Sequence, residues 1–390
     1  MIPLMKNAFI DEQKTKSALA EFILQAPRLS MDAKCLEFEK RFADWQGRKF
    51  AVLFNSGGSA NLAMLQAMKN LGLLKDNDNV GFSALTWSTN TMPIIQMGMT
   101  PVAVDCGPRT LNVMSSDLQE RLRTSKLAAM FITNALGFAG DLGRIKNLCR
   151  EKGIILIEDS CEALGSELPS GKTGNFGMAA SFSFFVAHHM STIEGGMACT
   201  DDAELAEMLR IVRANGWDRN LEPRQQAKWR DKFAVKNEFE SKYTFYDLGF
   251  NLRPTEITGF LGLRQLEALE GTLIKRESNF KLLDLAARQN DELITVDCAH
   301  LSRVANFAFP VLCKTQQVRE KYLAKFTAAG VEIRPMIAGN IQRQPFYGKY
   351  VRRMFELPGT DFIHDCGFYC GNYPELTDGD LAVIRDCLKK

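Results

Sequence analysis

The sequence predicts an α/β protein with a mostly parallel central sheet flanked by helices and a smaller C-terminal α+β domain. Short apolar runs alternate with amphipathic helical patterns between about residues 50 and 200. These runs are apolar throughout, as strands that helices cover on both faces require. The chain has 390 residues, which is enough for one large domain and a smaller one.

One apolar run predicts each strand of the large sheet. The run AVLFNSG, 51–57, precedes a helical stretch in which Met64, Leu65, Met68 and Leu71 share one face. The later strands are predicted at NVGFSA, TPVAVDC, LAAMFITNALG, GIILIEDSC, SFSFF and GGMACT. Helical patterns at STNTMPIIQMG and DLGRIKNLCREK separate them, so we expect helices on both faces of the sheet.

The second half of the chain predicts a connecting helix and a small domain. The charged segment 221–243 is predicted to be a surface insertion. A long helical pattern begins near Pro254, and it divides the chain into a large domain, 1–255, with an N-terminal arm, and a small domain, 256–390. Strands are predicted at VANFAFPVL and VEIRPMI, with a last helix after Thr377, where Thr377 and Asp380 match a capping box.

Composition excludes several classes of partner. The chain carries 48 Lys and Arg against 46 Asp and Glu, a formal net charge of +2, so neither nucleic acid nor an anionic membrane is expected. No stretch is typical of a signal peptide or a spanning helix, and we expect a cytoplasmic protein. The ten cysteines are expected to be reduced core residues. The pair Cys366 and Cys370 is not expected to bind metal, because no second close pair accompanies it.

A Gly-rich stretch, NSGGSAN at 55–61, follows the first strand and opens the next helix. Backbone N–H groups at a helix N-terminus are unpaired, and together with the helix dipole they attract anions. This predicts a phosphate on Gly57, Gly58 and Ser59. The alternative is a tight turn with Ser59 as N-cap, since the spacing matches neither a P-loop nor a dinucleotide loop.

Acidic and aromatic residues follow two other strands. Glu158 and Asp159 end the strand in IILIEDSCEALG, at the edge where parallel sheets bind ligands. Either acid suits a cationic ring nitrogen or a metal, and the alternative is an acid that helps to start the next helix. Trp87 in TWSTN suits stacking on a flat ring, although a core position is the commoner outcome. With the phosphate loop, these residues predict a planar, phosphorylated, pyridine-like cofactor.

The stretch FFVAHHMSTIEGG, 184–196, completes a set of motifs whose order and spacing resemble those of the pyridoxal phosphate-dependent sugar aminotransferases. The resemblance covers nearly the whole chain and implies the aspartate aminotransferase-like fold type I. Members have a stretch of the form SF…K…GEGG, which here begins at Ser183, and the lysine to which they attach the cofactor falls on His188. Their GYNYR motif is GFNLR here, 249–253, so Asn251 is implied to contact the phosphate of the partner subunit's cofactor.

A histidine in place of that lysine marks one branch of the family, the nucleotide-sugar 3-dehydratases. The stretches AHHMSTIEGG, GWDRNL, GFNLRP, GVEIRP and GNI are similar to its GDP-sugar members, which act in O-antigen and colitose biosynthesis. The resemblance implies a homodimer with shared active sites that holds pyridoxal or pyridoxamine phosphate noncovalently. It implies a GDP-linked 4-keto-6-deoxyhexose as substrate and L-glutamate as amino donor. The implied products are a 4-keto-3,6-dideoxysugar, ammonia and 2-oxoglutarate, with no metal.

The same resemblance implies a role for each site residue. His188 is the expected catalytic base, because imidazole, with a reference pKa of about 6.5, exchanges protons near neutrality. The residues expected at the cofactor are Gly57, Gly58, Ser59, Trp87, Asp159, Glu162, Ser183 and Asn251. The residues expected at the substrate or glutamate are Arg219, Arg253 and His189. One departure from the family is Asn215, where members usually have histidine.

Two other interpretations stay open at this point. An iron–sulfur type of 3-dehydratase also has a histidine in place of the lysine, but it carries a clustered cysteine set with a C-x-C pair, which this C-terminal half lacks. A non-catalytic relative that binds the cofactor is the other interpretation. Retention of the Gly-rich loop, Asp159 and Ser183 argues against it. An ordinary aminotransferase would need another lysine at the cofactor, and Lys172 lies in a turn-like PSGKTGNFG.

Overall fold

The structure, a computed structural model, describes residues 1–390. Its strands are β1 (Phe50–Phe54), β2 (Asn79–Ser83), β3 (Thr100–Val104), β4 (Ala129–Thr133), β5 (Ile155–Asp159), β6 (Glu167–Leu168), β7 (Gly171–Lys172), β8 (Ala179–Ser183), β9 (Gly196–Thr200), β10 (Leu293–Ile294), β11 (Ala308–Cys313), β12 (Ile333–Pro335) and β13 (Gly367–Gly371). Its helices are α1 (Glu12–Gln25), α2 (Ala33–Gln46), α3 (Gly57–Asn70), α4 (Met92–Gln96), α5 (Ser115–Leu122), α6 (Leu142–Lys152), α7 (Ala203–Arg213), α8 (Pro223–Lys232), α9 (Glu238–Ser241), α10 (Glu256–Arg288), α11 (Gln316–Ala328), α12 (Pro345–Tyr350), α13 (Pro358–Cys366) and α14 (Asp378–Leu388).

The large sheet has seven strands in the order β1-β9-β8-β5-β4-β2-β3. Its central pairs, β8 with β5, β5 with β4, β4 with β2 and β2 with β3, are all parallel. Only β9 runs against its neighbours, and it is antiparallel to both β1 and β8. The predicted mostly parallel sheet is therefore confirmed, and the carboxyl ends of β2, β4, β5 and β8 lie at one edge.

Both faces of this sheet are buried, which explains why its strands are apolar throughout. Alternate residues of a strand point to opposite faces, so Phe131 and Ile132 of β4 enter different cores. The helices α3 and α7 cover one face. On the other face lie α2, α6 and the long α10. This layered arrangement fixes the strand ends that carry the polar side chains described below.

The small sheet is antiparallel, in the order β10-β11-β13-β12, and it packs beside α10. The capping box predicted at Thr377 is present, because its hydroxyl accepts from the N–H of Asp380 and the Asp380 carboxylate accepts from the N–H of Thr377. The first residues differ from the predicted division, since Ile2 pairs with Val331 and is buried in the core of the small sheet.

The charged segment 221–243 forms two short helices, α8 and α9, on the surface. Trp229 is its buried anchor, and the indole N–H donates to Glu207 on α7. Three aromatic side chains beyond this anchor, Phe239, Tyr243 and Phe245, are largely exposed. No helix of the chain has the combined length and apolar character that a membrane crossing needs.

Candidate active site

Asp159 lies at the carboxyl end of β5, in the centre of the large sheet, and it is 5% exposed. One carboxylate oxygen accepts from the amides of Asn61 on α3 and Asn90, each at 2.8 Å. The other accepts from the N–H of Cys161 at 2.9 Å. These donors hold an anionic carboxylate in one orientation, which suits recognition of a cationic group at the sheet edge.

A small concave surface, made by Gly57, Gly58 and Ser183 and here called the phosphate cradle, lies beside Asp159. Gly57 and Gly58 open α3, so their N–H groups belong to its unpaired first turn. A Cβ at Gly57 would lie 2.7 Å from the Ser183 Cβ and 3.1 Å from the Cys161 Sγ, so only glycine lets the start of α3 pack this close to Ser183. The cradle therefore offers N–H and hydroxyl donors to an anion.

The alternative interpretation, in which Ser59 is the N-cap of α3, is wrong. The N-cap of α3 is Ser56, not Ser59, and the Ser56 hydroxyl oxygen accepts from the Ser59 N–H at 3.0 Å. The cap uses this N–H group, and Ser59 has only its hydroxyl to offer an anion. The two glycines of the cradle keep their N–H groups for a ligand.

His188 lies in the connection between β8 and β9. Its ring is near Phe185 and Phe307, with centroid distances of 6.3 and 5.6 Å. Its Nδ1 atom is buried without a hydrogen-bond partner. The pKa of His188 is lowered to about 4, chiefly by burial; the Asp159 carboxylate opposes this shift and the Arg276 charge contributes to it. The imidazole is therefore neutral at neutral pH and accepts a proton rather than donating one.

The prediction that His189 faces the substrate is wrong. Its side chain is 2% exposed, and its Nε2 atom lies 2.6 Å from the Ala305 carbonyl oxygen. A carbonyl only accepts, so Nε2 carries the proton. Adjacent residues point in different directions, and in this pair His189 turns towards the core while His188 stays at its edge.

Two glutamates of the same segment have different environments. The Glu158 carboxylate accepts from the N–H groups of Gly174, Phe176 and Gly177 at 2.7–2.8 Å, so it supports the fold and not a ligand. Glu162 accepts only from the Leu136 N–H, at 2.7 Å. Burial raises the pKa of Glu162 to about 8, with a smaller contribution from Asp159. At neutral pH Glu162 is therefore mostly a neutral carboxylic acid that can donate a hydrogen bond.

Trp87 lies at the mouth of the site and is 56% exposed. It lines a cavity of about 590 Å³ together with Arg319, Arg334 and Tyr369 of the small domain. Three residues after Trp87, Asn90 contacts Asp159, so the cavity adjoins the end of β5. Two guanidinium groups and an aromatic face make this cavity suitable for a phosphorylated ligand.

Arg219 and Arg253 do not share that cavity. Within one chain they line a different one, of about 910 Å³, next to Trp217 and the edge strand β1. Asn251 is exposed near this second cavity, where its backbone bridges to Ala214. These residues are thus not brought to the Asp159 site of their own subunit.

Asn215 adopts a left-handed backbone conformation, with φ of 59°. Asparagine is among the residues that tolerate this region best. Its N–H donates to the Phe250 carbonyl, which ties this turn to the segment that carries Asn251.

No lysine takes the place of the missing one. The Lys172 ammonium group donates to the Trp45 carbonyl and lies 4.1 Å from the centroid of the Trp45 ring. The cysteines are free and mostly buried, and the chain has no group of three or more metal-binding side chains. The prediction had missed Asn61 and Asn90, because contacts between distant segments leave no local pattern in a sequence.

The residues present fit pyridoxal or pyridoxamine phosphate. The N–H groups at the start of α3, packed against the Ser183 hydroxyl, suit a phosphate. The oriented Asp159 suits a protonated ring nitrogen. The Nδ1 atom of His188, which has no hydrogen-bond partner, supplies a proton acceptor at the same site.

Comparison with known proteins gives concordant results. The model of the DegT/DnrJ/EryC1/StrS aminotransferase family matches residues 10–389. A relative from Escherichia coli O55:H7 (strain CB9615 / EPEC), GDP-4-keto-6-deoxy-D-mannose 3-dehydratase, is 30% identical over 374 residues, 94% of this chain and 95% of that protein. A crystal structure of GDP-4-keto-6-deoxymannose-3-dehydratase with a trapped PLP-glutamate geminal diamine superposes with a TM-score of 0.91 and 28% identity, covering 100% of both chains.

Identity alone does not separate the activities within this group. GDP-perosamine synthase from Caulobacter vibrioides (strain ATCC 19089 / CIP 103742 / CB 15) is 31% identical over 360 residues, 90% of this chain and 87% of that protein. A choice between such activities has to come from the residues of the site.

Proposed function

The chain belongs to the DegT/DnrJ/EryC1/StrS aminotransferase family, and on that premise we propose that it is a pyridoxamine phosphate-dependent 3-dehydratase of a GDP-linked 4-keto-6-deoxyhexose. The feature that carries the proposal is His188, which the motif spacing matches to the cofactor-attaching lysine of the family. This residue has an unpartnered Nδ1 and a neutral ring. The similarity of the chain to GDP-4-keto-6-deoxy-D-mannose 3-dehydratase favours the mannose-derived substrate and L-glutamate as amino donor.

The phosphate cradle and Asp159 hold the cofactor. The N–H groups of Gly57 and Gly58 and the Ser183 hydroxyl donate to the phosphate. Asp159, fixed by the two asparagine amides, accepts from the ring nitrogen and keeps it protonated. Bound in this way, pyridoxamine phosphate supplies an amine for the 4-keto group and a ring that takes up electrons.

His188 moves the protons. Its neutral imidazole takes a proton at the carbon that bears the cofactor's amine, and the resulting imidazolium gives that proton to the departing C3 hydroxyl. One side chain would serve both steps when the cofactor carbon and the C3 hydroxyl lie on the same face of the cofactor. Glu162, buried and mostly protonated at neutral pH, has a proton with which it would donate a hydrogen bond to the bound ligand.

The overall reaction balances without an external oxidant. The C3 hydroxyl group of the sugar is replaced by hydrogen, which is a two-electron reduction. L-Glutamate supplies the two electrons and leaves as 2-oxoglutarate, and its nitrogen leaves as ammonia. Trp87, Arg319 and Arg334 form the cavity in which we place the nucleotide diphosphate.

The active enzyme is proposed to be a homodimer with shared sites. Asn251, Arg219 and Arg253 lie outside the Asp159 site of their own subunit, as residues that serve a partner's site would. We place the reaction in the cytoplasm, where the ten free cysteines stay reduced. We also propose the domain division at 255/256, with α10 as the connecting helix and Ile2 attached to the small domain.

The test is incubation with GDP-4-keto-6-deoxymannose, pyridoxal phosphate and L-glutamate, with ammonia, 2-oxoglutarate and the mass of the sugar measured. We expect a 3-deoxy sugar and equal amounts of ammonia and 2-oxoglutarate. A 4-amino sugar without ammonia release would identify an aminotransferase, and no turnover would favour a non-catalytic relative. Iron in the purified protein would favour the iron–sulfur type.

Two histidine variants sharpen this test. His188→Asn should lower kcat by about 10²- to 10⁴-fold, the contribution typical of a general base. The control is His300→Asn, because His300 contacts only the Ala139 carbonyl, away from Asp159, and this variant should keep wild-type activity.

A further inference from the structure

Arg276, in the middle of α10, is a buried cation for which the reaction described above has no role. It is 3% exposed. All its hydrogen bonds go to carbonyl oxygens, and none goes to a carboxylate. A buried charge without an ionic partner is costly, so packing alone does not explain an arginine here.

The three carbonyls belong to three different segments. One Arg276 Nη atom donates to Phe307, 3.1 Å away just before β11, and to Asn372, just after β13. The other Nη atom donates to the His188 carbonyl at 3.2 Å. A single guanidinium group thus attaches the loop of the catalytic base to the small sheet.

The surroundings reinforce this attachment. The Asn372 amide donates to the Arg276 carbonyl at 3.1 Å and to the Asn306 carbonyl at 3.1 Å. His189 reaches Ala305 in the same segment. The peptide that carries His188 is therefore held on one side by residue 276 and on the other by residues 305–307.

The charge of Arg276 also acts on the imidazole. The groups with charge or titratable protons that face His188 are Asp159, Arg276 and the neighbouring His189. Asp159 favours the imidazolium form, while Arg276 opposes it. Burial is the largest cause of the lowered His188 pKa, and the Arg276 charge adds to it by opposing the effect of Asp159.

We propose that Arg276 is a positioning residue, which holds the His188 peptide through its guanidinium group and places a positive charge close to the imidazole. The role rests on the proposed function of His188 as the base. It also couples the base to the small domain, because Phe307 and Asn372 share the same guanidinium group.

The test compares Arg276→Lys, which keeps the charge but not the fork of donors, with Arg276→Met, which removes both. The chain has four histidines, so NMR of the ring C–H groups resolves each titration, with His188→Asn assigning one signal. The His188 titration should move up by about one pH unit in Arg276→Met and stay near the wild-type value in Arg276→Lys. Spectra are recorded on the full chain with and without pyridoxal phosphate.

Kinetics supply a second readout. Arg276→Met should lower kcat for the 3-dehydratase reaction by about tenfold to a hundredfold, as displacement of a catalytic group by about 1 Å does, with KM changed less than about threefold. Arg276→Lys should recover part of this loss. Arg288→Met is the matched control on the same helix, since Arg288 is half-exposed and pairs with Asp284.

Either of two results would overturn the proposal: an unchanged His188 titration in Arg276→Met, or equal kcat in the Lys and Met variants. If Arg276→Met does not fold, hydrogen exchange of residues 184–192 in Arg276→Lys decides. Exchange should be faster than in the wild type, and unchanged exchange would refute the positioning role. The titration and exchange need no substrate, so they remain valid even if the proposed substrate is wrong.

Discussion

At the scale of single residues, the two buried glutamates Glu158 and Glu162 illustrate how surroundings decide a role. Glu158 accepts from three backbone N–H groups and supports the fold. Glu162 accepts from a single backbone N–H group. Burial raises its pKa to about 8, so it is largely protonated at neutral pH. They lie in the same short motif, and their contacts come from segments distant in the chain. The sequence could therefore predict an acidic strand end but not which acid faces the ligand.

The raised pKa of Glu162 predicts a stability that falls with pH. Its folded-state pKa of about 8 lies above the ordinary value of 4.5, so its contribution is complete below pH 4.5 and is lost as pH rises through about 8. The loss amounts to up to about 5 kcal/mol at about 1.4 kcal/mol per pKa unit. Urea unfolding of the cofactor-free wild type and Glu162→Gln, from pH 5 to 9, should show the variant gaining relative stability as pH rises.

Glu158→Gln is the control for this measurement. Its amide would turn an N–H group towards backbone donors, and the free energy of unfolding should fall by about 1–3 kcal/mol for each lost hydrogen bond, at every pH. A constant difference between wild type and Glu162→Gln across the pH range would refute the buried, protonated state of Glu162.

Asp159→Asn should weaken cofactor binding while leaving the fold intact. The asparagine oxygen still accepts from Asn61 and Asn90, but the charge that pairs with the ring nitrogen is gone. A hydrogen bond to a charged group contributes about 1.5–3 kcal/mol, so the Kd for pyridoxal phosphate should rise about tenfold to a hundredfold. Fluorescence titration measures this Kd. Asp105→Asn, at the end of β3, should leave the Kd unchanged, because Asp105 accepts from Gly359 and Thr360.

At the scale of elements, the start of α3 defines the phosphate cradle. Gly57→Ala places a Cβ 2.7 Å from that of Ser183, and it should raise the Kd for pyridoxal phosphate by at least about tenfold because the clash moves the N–H and hydroxyl donors of the cradle apart. Gly271→Ala is the matched control, since Gly271 lies within α10 with nothing within 4 Å of an added Cβ. It should leave the Kd unchanged and stabilise the protein by about 0.5–1 kcal/mol. Equal Kd values for the two variants would show that the phosphate cradle does not bind the cofactor.

Apolar runs predicted the elements of the large sheet well because burial on both faces requires them. The strand β13, Gly367–Gly371, was not predicted, although it pairs with both β11 and β12. Two of its residues are glycine and its apolar pattern is short, so only its partners reveal it. The N-cap of α3 shows the same limit. Ser56 and Ser59 are both suitable N-cap residues in the sequence, and the structure has Ser56 in this position.

At the scale of the whole molecule, the separation of Asn251 and Arg253 from the site of their own subunit predicts complementation. His188→Asn and Asn251→Ala should each be inactive alone. Co-expressed, half of the dimers would be mixed, and each would have one complete site, so activity should recover to roughly a quarter of the wild type. Activity of purified mixtures, normalised to protein, checks this. No recovery in mixed dimers would mean that each site takes His188 and Asn251 from the same subunit.

The connection that carries His188 has a further consequence. Because β9 returns antiparallel beside β8, the segment between Ser183 and Gly196 is a hairpin whose two ends are fixed by the sheet. Those ends, the Arg276 contact with the His188 carbonyl and the His189 contact with Ala305 hold its conformation, and none of these contacts uses side chain 188. Residues 184–195 therefore form an exchangeable cassette: replaced by the lysine-bearing hairpin of an aminotransferase relative, they offer a route to redirect the chemistry of this scaffold without changing strand register.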